Sequence, residues 1–458
     1  MQPKLKVLFI AYFFPPVSGG GIPGAMRVLK FLRFINAEAY VLTKKADVLS
    51  QSDESISCEL PPERILRAGK IDPFGRLLKF QYWLKTLLRK RHHQESSTDS
   101  LSKSSVFSDH STHSQKALAV RVKDFIYNLN YFPDQASVWI IPAFFAGRKV
   151  IRKKKIDVIF ATGSPWSSLI LGYLLSKLTR KPLVVDYRDP WINNPFHHTK
   201  GAFLDRLAAK LEHRIVKHAT FVSLNTEPLM EEFLYRYPSL DKSKFIVLPN
   251  GFEEQDSNNQ YSYDETKSEL VIRHAGFLYG PRDPSVLLDA IQTVNQQAIT
   301  SNMPNRWVFE QIGAVSLGYD IKKKYQQMLS DGSFKILPQV PYAECQRLLK
   351  QADLLVNIQP GTKTQVPSKI YDYLAVDRPI LNITPHDGAL GRMVKKYQLG
   401  ACFDFTEKRS IEEYLNSKLA LQEWRSSEIY SSKSCFSIKN VAEELENMFN
   451  KIVRRQKS

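Results

Sequence analysis

Cysteine is scarce in this 458-residue chain: there are four, at 58, 345, 402 and 435, with no Cys-x-x-Cys pair and no metal-ligand spacing. This excludes a disulfide framework and a zinc module, and it points to a reducing compartment with free thiols. No uninterrupted apolar run approaches the roughly 20 residues that cross a bilayer. The first strand begins at Lys6, leaving no room for a signal peptide before it, so the chain is expected in the cytoplasm. Acidic residues are also in deficit, 46 against 64 Lys and Arg, for a net charge of +18. Such a balance asks for an anionic partner: nucleic acid, anionic lipid or a phosphorylated substrate. No nucleic-acid-binding fold, zinc spacing or RNP-type aromatic pattern is present, so nucleic acid is set aside.

What is present suits a globular protein of two domains. Hydrophobic residues make up 43% of the chain, and the length exceeds one core of ordinary size, fitting two units of roughly 200 residues. Short apolar strands alternate with helical stretches in the first half, at Val7–Tyr12, Ala39–Leu42, Val158–Ala161, Leu183–Asp186 and Phe221–Leu224. That alternation predicts a doubly wound α/β sheet. Two of these strands run into turn chemistry, Gly163-Ser164-Pro165 and Arg188-Asp189-Pro190. Loops at the carboxyl ends of parallel strands carry ligands, so both turns are expected at a cleft.

Residues 94–115 turn to Ser, Thr, Asp and His and read as a mobile insertion outside any core. Its histidines and their neighbours, His92, His93, His110 and His113, are expected to be solvated, not metal ligands. Upstream, residues 74–91 place Leu77, Phe80, Leu84, Leu87 and Leu88 on one helical face, with Lys79, Lys85, Arg89 and Lys90 elsewhere. A basic amphipathic helix with Tyr82 and Trp83 near its boundary suits an anionic membrane surface, or else packs on the domain as a surface helix. The turn Pro249-Asn250-Gly251-Phe252 marks the end of the first domain. The second is expected to run as strand Glu269–His274, helix Pro284–Ala290, strand Arg306–Ile312, helix Ile321–Leu329, strand Phe334–Leu337, helix Tyr342–Gln351, strand Leu354–Ile358, and a helix after Pro367. Asp157 and Asp353 precede strands and read as turn or capping positions.

The segment Val366-Pro367-Ser368-Lys369-Ile370-Tyr371-Asp372-Tyr373-Leu374-Ala375 places a turn, a cation and a carboxylate at the start of a helix, before the apolar strand at Ile380-Leu381. Free N–H groups and partial positive charge at a helix start, with a lysine beside them, suit a phosphorylated anion such as a diphosphate.

This segment resembles the nucleotide-sugar site of glycosyltransferase family 4, in the bacterial branch with a PSK-x-Y-[DE]-Y-LA pattern. Three further segments carry the resemblance in order along most of the chain. Val7–Pro16 running into Gly19-Gly20-Gly21 is similar to the first strand and glycine-rich acceptor loop. Asp186-Tyr187-Arg188-Asp189-Pro190-Trp191 is similar to a D-x-RDPW signature. His274–Asp283 resembles the loop that opens the donor site. The resemblance implies a GT-B fold, two Rossmann-like doubly wound domains facing across a cleft. Residues 1–250 would bind the acceptor, residues 265–440 would bind the nucleotide sugar, and a C-terminal helix, 441–458, would cross back onto the first domain.

It also implies roles. Arg282 and Lys369 would face the leaving diphosphate, where charge builds in the transition state. Gly276, Tyr279, Pro367 and Ser368 would complete the donor site, with Asp372 on the ribose hydroxyls. Gly19, Gly20, Gly21 and Arg27 would meet the acceptor. Asp189 is the candidate base or orienting group for the acceptor hydroxyl, or a structural partner of Arg188. The family's usual first Glu is replaced by Thr364, which leaves the sugar to backbone N–H groups of residues 361–365. No histidine stands at Thr162-Gly163-Ser164, so none is assigned to catalysis. No Asp-x-Asp motif is evident, and the family neutralises diphosphate with basic side chains, so neither metal nor cofactor is expected.

The expected activity is retaining transfer of a sugar from a nucleotide-diphosphate donor to a saccharide or lipid-linked saccharide, in surface polysaccharide biosynthesis at the cytoplasmic membrane face. The rivals are a catalytically silent, membrane-associated relative and a nucleotide-sugar epimerase. Against the epimerase stand Thr364 and the lack of a cleft histidine.

Overall fold

A computed structural model describes residues 4–16, 22–46, 58–72, 75, 126–194, 200–254, 267–376, 378–420 and 430–457. The glycine cluster at 19–21, the amphipathic stretch at 74–91 apart from Gly75, and the insertion at 94–115 lie outside the described residues.

The first sheet has seven parallel strands in the order β3-β2-β1-β4-β5-β6-β7. They are β1 (Lys6–Ile10), β2 (Glu38–Lys44), β3 (Ile65–Ala68), β4 (Val158–Gly163), β5 (Leu183–Tyr187), β6 (Phe221–Leu224) and β7 (Phe245–Val247). Alternation along β1 divides its side chains between two cores, as a strand covered on both faces requires. Val7 and Phe9 join Phe31 and Phe160 on one face. Leu8 and Ile10 join Trp139, Leu171 and Leu175 on the other.

Helix α1 (Ile22–Phe34) covers the first of these faces, and α2 (Ser137–Lys154) and α3 (Ser167–Thr179) cover the second. Gly147 of α2 allows close approach, since a Cβ there would press into Leu175 and Leu42. Beyond α3 come α4 (Ala202–His218) and α5 (Glu227–Arg236).

The second sheet has six strands in the order β12-β10-β8-β13-β14-β15. They are β8 (Glu269–Ala275), β10 (Arg306–Ile312), β12 (Phe334–Leu337), β13 (Leu354–Ile358), β14 (Ile380–Ile383) and β15 (Ala401–Phe403), with a two-residue pair β9 (Leu278–Tyr279) and β11 (Val315–Ser316) above them. Every recorded pairing is parallel. Asp157 and Asp353 tie strand starts together: their carboxylates accept from Lys6 N at 2.9 Å and Val271 N at 2.8 Å.

The helices of this half are α6 (Ser285–Thr300), α7 (Ile321–Lys324), α8 (Gln326–Ser330), α9 (Tyr342–Lys350), α10 (Lys369–Ala375), α11 (Ala389–Tyr397) and α12 (Lys408–Ala420). The single helix expected over 321–329 is two short ones, with Tyr325 between them. Its hydroxyl donates to Asp289 at 2.7 Å, and Asp320 caps the first piece.

The last helix, α13 (Ile438–Lys457), begins three residues before the expected start and returns to the first sheet. Its residues Val441, Leu445, Met448, Phe449 and Ile452 are buried against Val7, Phe9 and Phe31, and the Phe449 ring meets Phe9 and Phe160 at 6.3 Å. Each such apolar side chain contributes about 1.5–3 kcal/mol when fully buried, so this helix holds the two halves together by packing.

Candidate functional site

The carboxyl ends of the two sheets meet. After β5, Asp189 accepts a hydrogen bond at 3.0 Å from Gln365 Nε2, which follows β13. After β6, the Thr226 hydroxyl donates at 2.6 Å to the Thr364 carbonyl. The position where the resemblance leads one to expect a glutamate therefore serves, through its backbone, as a strut between the halves. Glu227 of α5 adds contacts to Lys396 at 2.6 Å and Tyr397 at 3.0 Å of α11. A cavity of about 980 Å³ opens at this junction, lined by Thr226, Val366, Arg392, Met393, Tyr397 and Phe436; none of the expected donor residues lines it.

The Asp186–Trp191 signature divides into groups tied within the first half and one that reaches the second. The Asp186 carboxylate is buried and accepts from Arg27 at 2.8 and 2.9 Å, from the Thr162 hydroxyl at 2.7 Å and from the Ser223 hydroxyl at 2.8 Å. Burial pushes its pKa up, but Arg27 and the hydroxyls outweigh this and hold it below the usual value. Arg188 donates to the Gly163 carbonyl at 3.1 Å and to that of Ser164, latching one cleft turn to the other. Trp191 stacks on Trp166 with centroids 5.8 Å apart. Asp189 alone among these polar groups reaches the second half.

Arg27 corrects the sequence reading. Expected to reach an acceptor phosphate, it is 3% exposed and donates to Asp186, the Leu248 and Pro249 carbonyls and Asn250 Oδ1. Its donors are committed to the turn at 248–250, so it staples α1 to the sheet and has no reach toward a ligand. The reason is that Asp186, buried at the end of β5, needs a full counter-charge.

In the second half the residues expected at the donor site come together at the carboxyl ends of β8, β10 and β13. Gly276 has φ 120°, a conformation that disfavours side chains, and a Cβ there would land on Lys369 Nζ and Cε. The lysine thus lies across a bare backbone. Gly313, at φ 110°, abuts the Gly276 carbonyl in the same way.

Lys369 opens α10, and its Nζ is 3.2 Å from His274 Nε2. Burial lowers its pKa to about 7, with Arg282 the next cause. Arg282 donates to Gln359 Oε1 at 2.9 Å and lies over the Tyr279 ring at 5.1 Å, while its Nε is buried without a hydrogen-bond partner. Pro367 and Ser368 form the turn into α10, their carbonyls accepting from Ile370 at 3.3 Å and Tyr371 at 3.1 Å. Asp372, one turn along, accepts from the Tyr342 hydroxyl at 2.9 Å. Burial raises its pKa, against the pull of Lys30, Tyr342 and Lys369.

One residue was named in the sequence reading, at the head of the donor-site loop, but was given no role. His274 is fully buried at the end of β8, under Lys369, with Nδ1 2.6 Å from Gln311 Oε1. Burial, then Lys369, holds its pKa well below the ordinary histidine value. The sequence argument counted a missing cleft histidine against an epimerase, yet a histidine does lie beneath the donor-site lysine. Its only sequence signal was its place before Ala275-Gly276.

Two parallel sheets joined at their carboxyl ends make the GT-B fold. HepE of Anabaena, solved in complex with UDP-glucose, matches 98% of this chain and 100% of its own at 15% identity and a TM-score of 0.53. The sucrose-phosphate synthase of Thermosynechococcus elongatus matches 99% and 100% at 13% identity and 0.54. The lipopolysaccharide outer core galactosyltransferase WaaB matches 98% and 100% at 12% identity and 0.53. Residues 111–251 match the glycosyl transferase 4-like domain. That match covers the end of the first half and carries a likeness to family 4 there. No curated protein matches it by sequence.

Proposed function

We propose that the chain is a retaining glycosyltransferase. It takes a sugar from a nucleoside-diphosphate donor held between β8, β13 and α10 and passes it to a saccharide or lipid-linked saccharide on the first half, in surface polysaccharide biosynthesis. One observation carries this reading. Lys369 and Arg282 are both partly buried, Arg282 opposes the charge on Lys369, burial opposes the charge on each, and among the described residues neither forms a salt bridge with a carboxylate. Two partly buried cations without a carboxylate partner are costly unless an anion arrives, and a leaving diphosphate carries the required charge.

The chemistry then needs little more than positioning. As the anomeric carbon–oxygen bond to the diphosphate breaks, negative charge gathers on the phosphate between the two cations. The acceptor oxygen forms its bond on the same face, and its proton passes to the departing phosphate oxygen. Asp189, held by Gln365, orients the acceptor hydroxyl from the opposite half. Asp372 takes the ribose hydroxyls, and the side chains of Arg282 and Lys369 neutralise the diphosphate.

The membrane-facing part of the proposal moves to a described surface. Ile141 and Phe145 on α2 are 57% and 61% exposed, and Leu174 and Leu178 on α3 are 39% and 48% exposed. Asp134 accepts from Ser167 Oγ at 2.7 Å and so aligns the starts of the two helices. Neither helix contains an acidic residue, while Arg148, Lys149, Arg152, Lys153 and Lys177 lie along them. Apolar side chains with basic residues beside them suit the anionic inner face of the cytoplasmic membrane. Among the described residues no helix is long and apolar enough to cross it.

The test is thermal stabilisation by UDP-, GDP-, ADP- and CMP-sugars, with Lys369→Ala as control, followed by donor hydrolysis. A shift for one donor that the variant loses, with turnover, supports the transferase. Binding without hydrolysis or transfer supports the silent relative, and no shift in folded protein refutes the donor site.

A further inference from the structure

We infer that His274 is a positioning residue that aims the Lys369 ammonium at the donor diphosphate, fixed in one neutral tautomer by Gln311. The inference rests on the donor-site reading above.

The geometry determines the tautomer. Gln311 Nε2 faces three backbone carbonyls, those of Gly276 at 2.6 Å, Ile312 at 3.1 Å and Gly313 at 3.3 Å. Only an N–H₂ group can satisfy them, so the amide oxygen is the atom turned toward His274. At 2.6 Å from that oxygen, His274 Nδ1 must carry the hydrogen. A neutral imidazole protonated on Nδ1 offers a bare lone pair at Nε2, and that atom is 3.2 Å from Lys369 Nζ. The ammonium therefore donates one N–H to the imidazole and keeps two for phosphate oxygens. A second proton on His274 would set N–H against the ammonium, and both burial and Lys369 oppose it.

The surroundings suit this role. Gly276 gives Lys369 a bare backbone to lie across, and the Gly276 carbonyl is itself one of the Gln311 acceptors. Lysine and relay thus share one anchor. Without an acceptor on its inner side, a flexible four-carbon stem would hold its charge in no single direction. The other groups acting on Lys369 are Arg282 from the loop after β8, Cys345 from α9 and Asp372 on its own helix; only Arg282 disfavours the charged form. His274 adds an uncharged acceptor that favours it.

The experiment measures binding of inorganic pyrophosphate, and of UDP, GDP and ADP, to full-length protein by calorimetry between pH 6 and 9. His274→Asn keeps a donor near Gln311 but loses the acceptor, whereas His274→Gln places an acceptor near Nε2. Lys369→Ala serves as control, and circular dichroism establishes folding. The expected result is binding about tenfold weaker in His274→Asn, the scale of one charge-assisted hydrogen bond. Its loss of affinity on raising pH should begin below the wild type's onset near pH 7, and His274→Gln should restore much of both.

Wild-type binding and pH profile in His274→Asn, or a Gln variant as weak as the Asn one, overturn the relay while leaving the donor site standing. Equal binding in Lys369→Ala, or none in the wild type, overturns the donor-site reading and the relay with it. Histidine ¹⁵N spectra of the wild type give a readout that needs no variant to fold with altered packing. A fully buried histidine protonated on Nδ1 and bare on Nε2 at pH 7 is expected, and the reverse tautomer would refute the inference.

Discussion

Lys369→Met should make the free protein more stable while removing its response to nucleotide sugars. The folded environment lowers the Lys369 pKa from 10.5 to about 7, by burial first and by Arg282 second. The unfolded chain keeps that proton up to about pH 10.5, whereas the folded chain begins to release it near pH 7. Folding at pH 7 and below therefore carries a penalty of about 3–5 kcal/mol, at about 1.4 kcal/mol per pH unit. Methionine keeps the unbranched stem and needs no counter-ion. It leaves His274 Nε2 without its donor, a loss of about 1–3 kcal/mol, so the net gain is about 1–3 kcal/mol. The sign with pH discriminates further: since the unfolded wild type binds more protons between about pH 7 and 10.5, wild-type stability gains from this group as pH rises through that window. The variant lacks that gain, so its advantage is largest at pH 7 and below and shrinks toward pH 10. Denaturant unfolding at pH 6.5, 7.5, 8.5 and 9.5, with and without donor, measures all of this. A variant less stable than the wild type at pH 7, or an advantage that does not shrink with pH, would refute the reading of Lys369 as an uncompensated buried cation.

Three other outcomes are expected. Arg27→Ala strands the buried Asp186 carboxylate and should cost about 3–5 kcal/mol in unfolding free energy; stability near wild type with only the acceptor KM raised would restore Arg27 to the acceptor site. Gly276→Ala combines a strained φ, costing about 1–3 kcal/mol, with a methyl group on the Lys369 ammonium. It should abolish donor-induced stabilisation in folded protein, and donor titrations of wild-type strength would contradict that. The pair Ile141→Glu and Phe145→Glu should weaken co-sedimentation with anionic phosphatidylglycerol vesicles and leave soluble-donor binding intact; unaltered sedimentation would remove this face from the proposed membrane contact.

The parts of the fold legible in the sequence are those buried on both sides. β10 and β13 span the residues their patterns predict, because each is built on an apolar run, Trp307–Phe309 and Leu354–Val356, that outweighs the polar residues beside it. Within the two large sheets the strands not foreseen, β3, β7 and β15, lie at sheet edges and are three or four residues long. Half-buried edge strands need neither a continuous apolar run nor a clean alternation, so little in their sequences distinguishes them from loops. At the site, residues next to turns were legible: Gly276, Arg282 and Lys369 each stand beside a backbone reversal. His274 and Gln311 were not. Both lie within strands, where a polar residue ordinarily reads as an interruption, and what joins them is adjacency across β8 and β10.

Arg27 and Arg282 make the same point about charge. Both are arginines in segments that resemble a substrate-binding motif, and nothing local separates them. The difference lies in a partner far along the chain: Asp186 is 159 residues from Arg27 and takes two of its donors. Arg282 has the neutral oxygen of Gln359 and the Tyr279 ring, and its Nε has nothing. A cation whose donors are all committed stabilises the fold, and one buried with donors uncommitted stabilises only a complex. By that criterion Arg27 builds the first half of the cleft and Arg273, paired with Glu310, builds the second, whereas Arg282 keeps an uncommitted donor, as the proposed donor site requires.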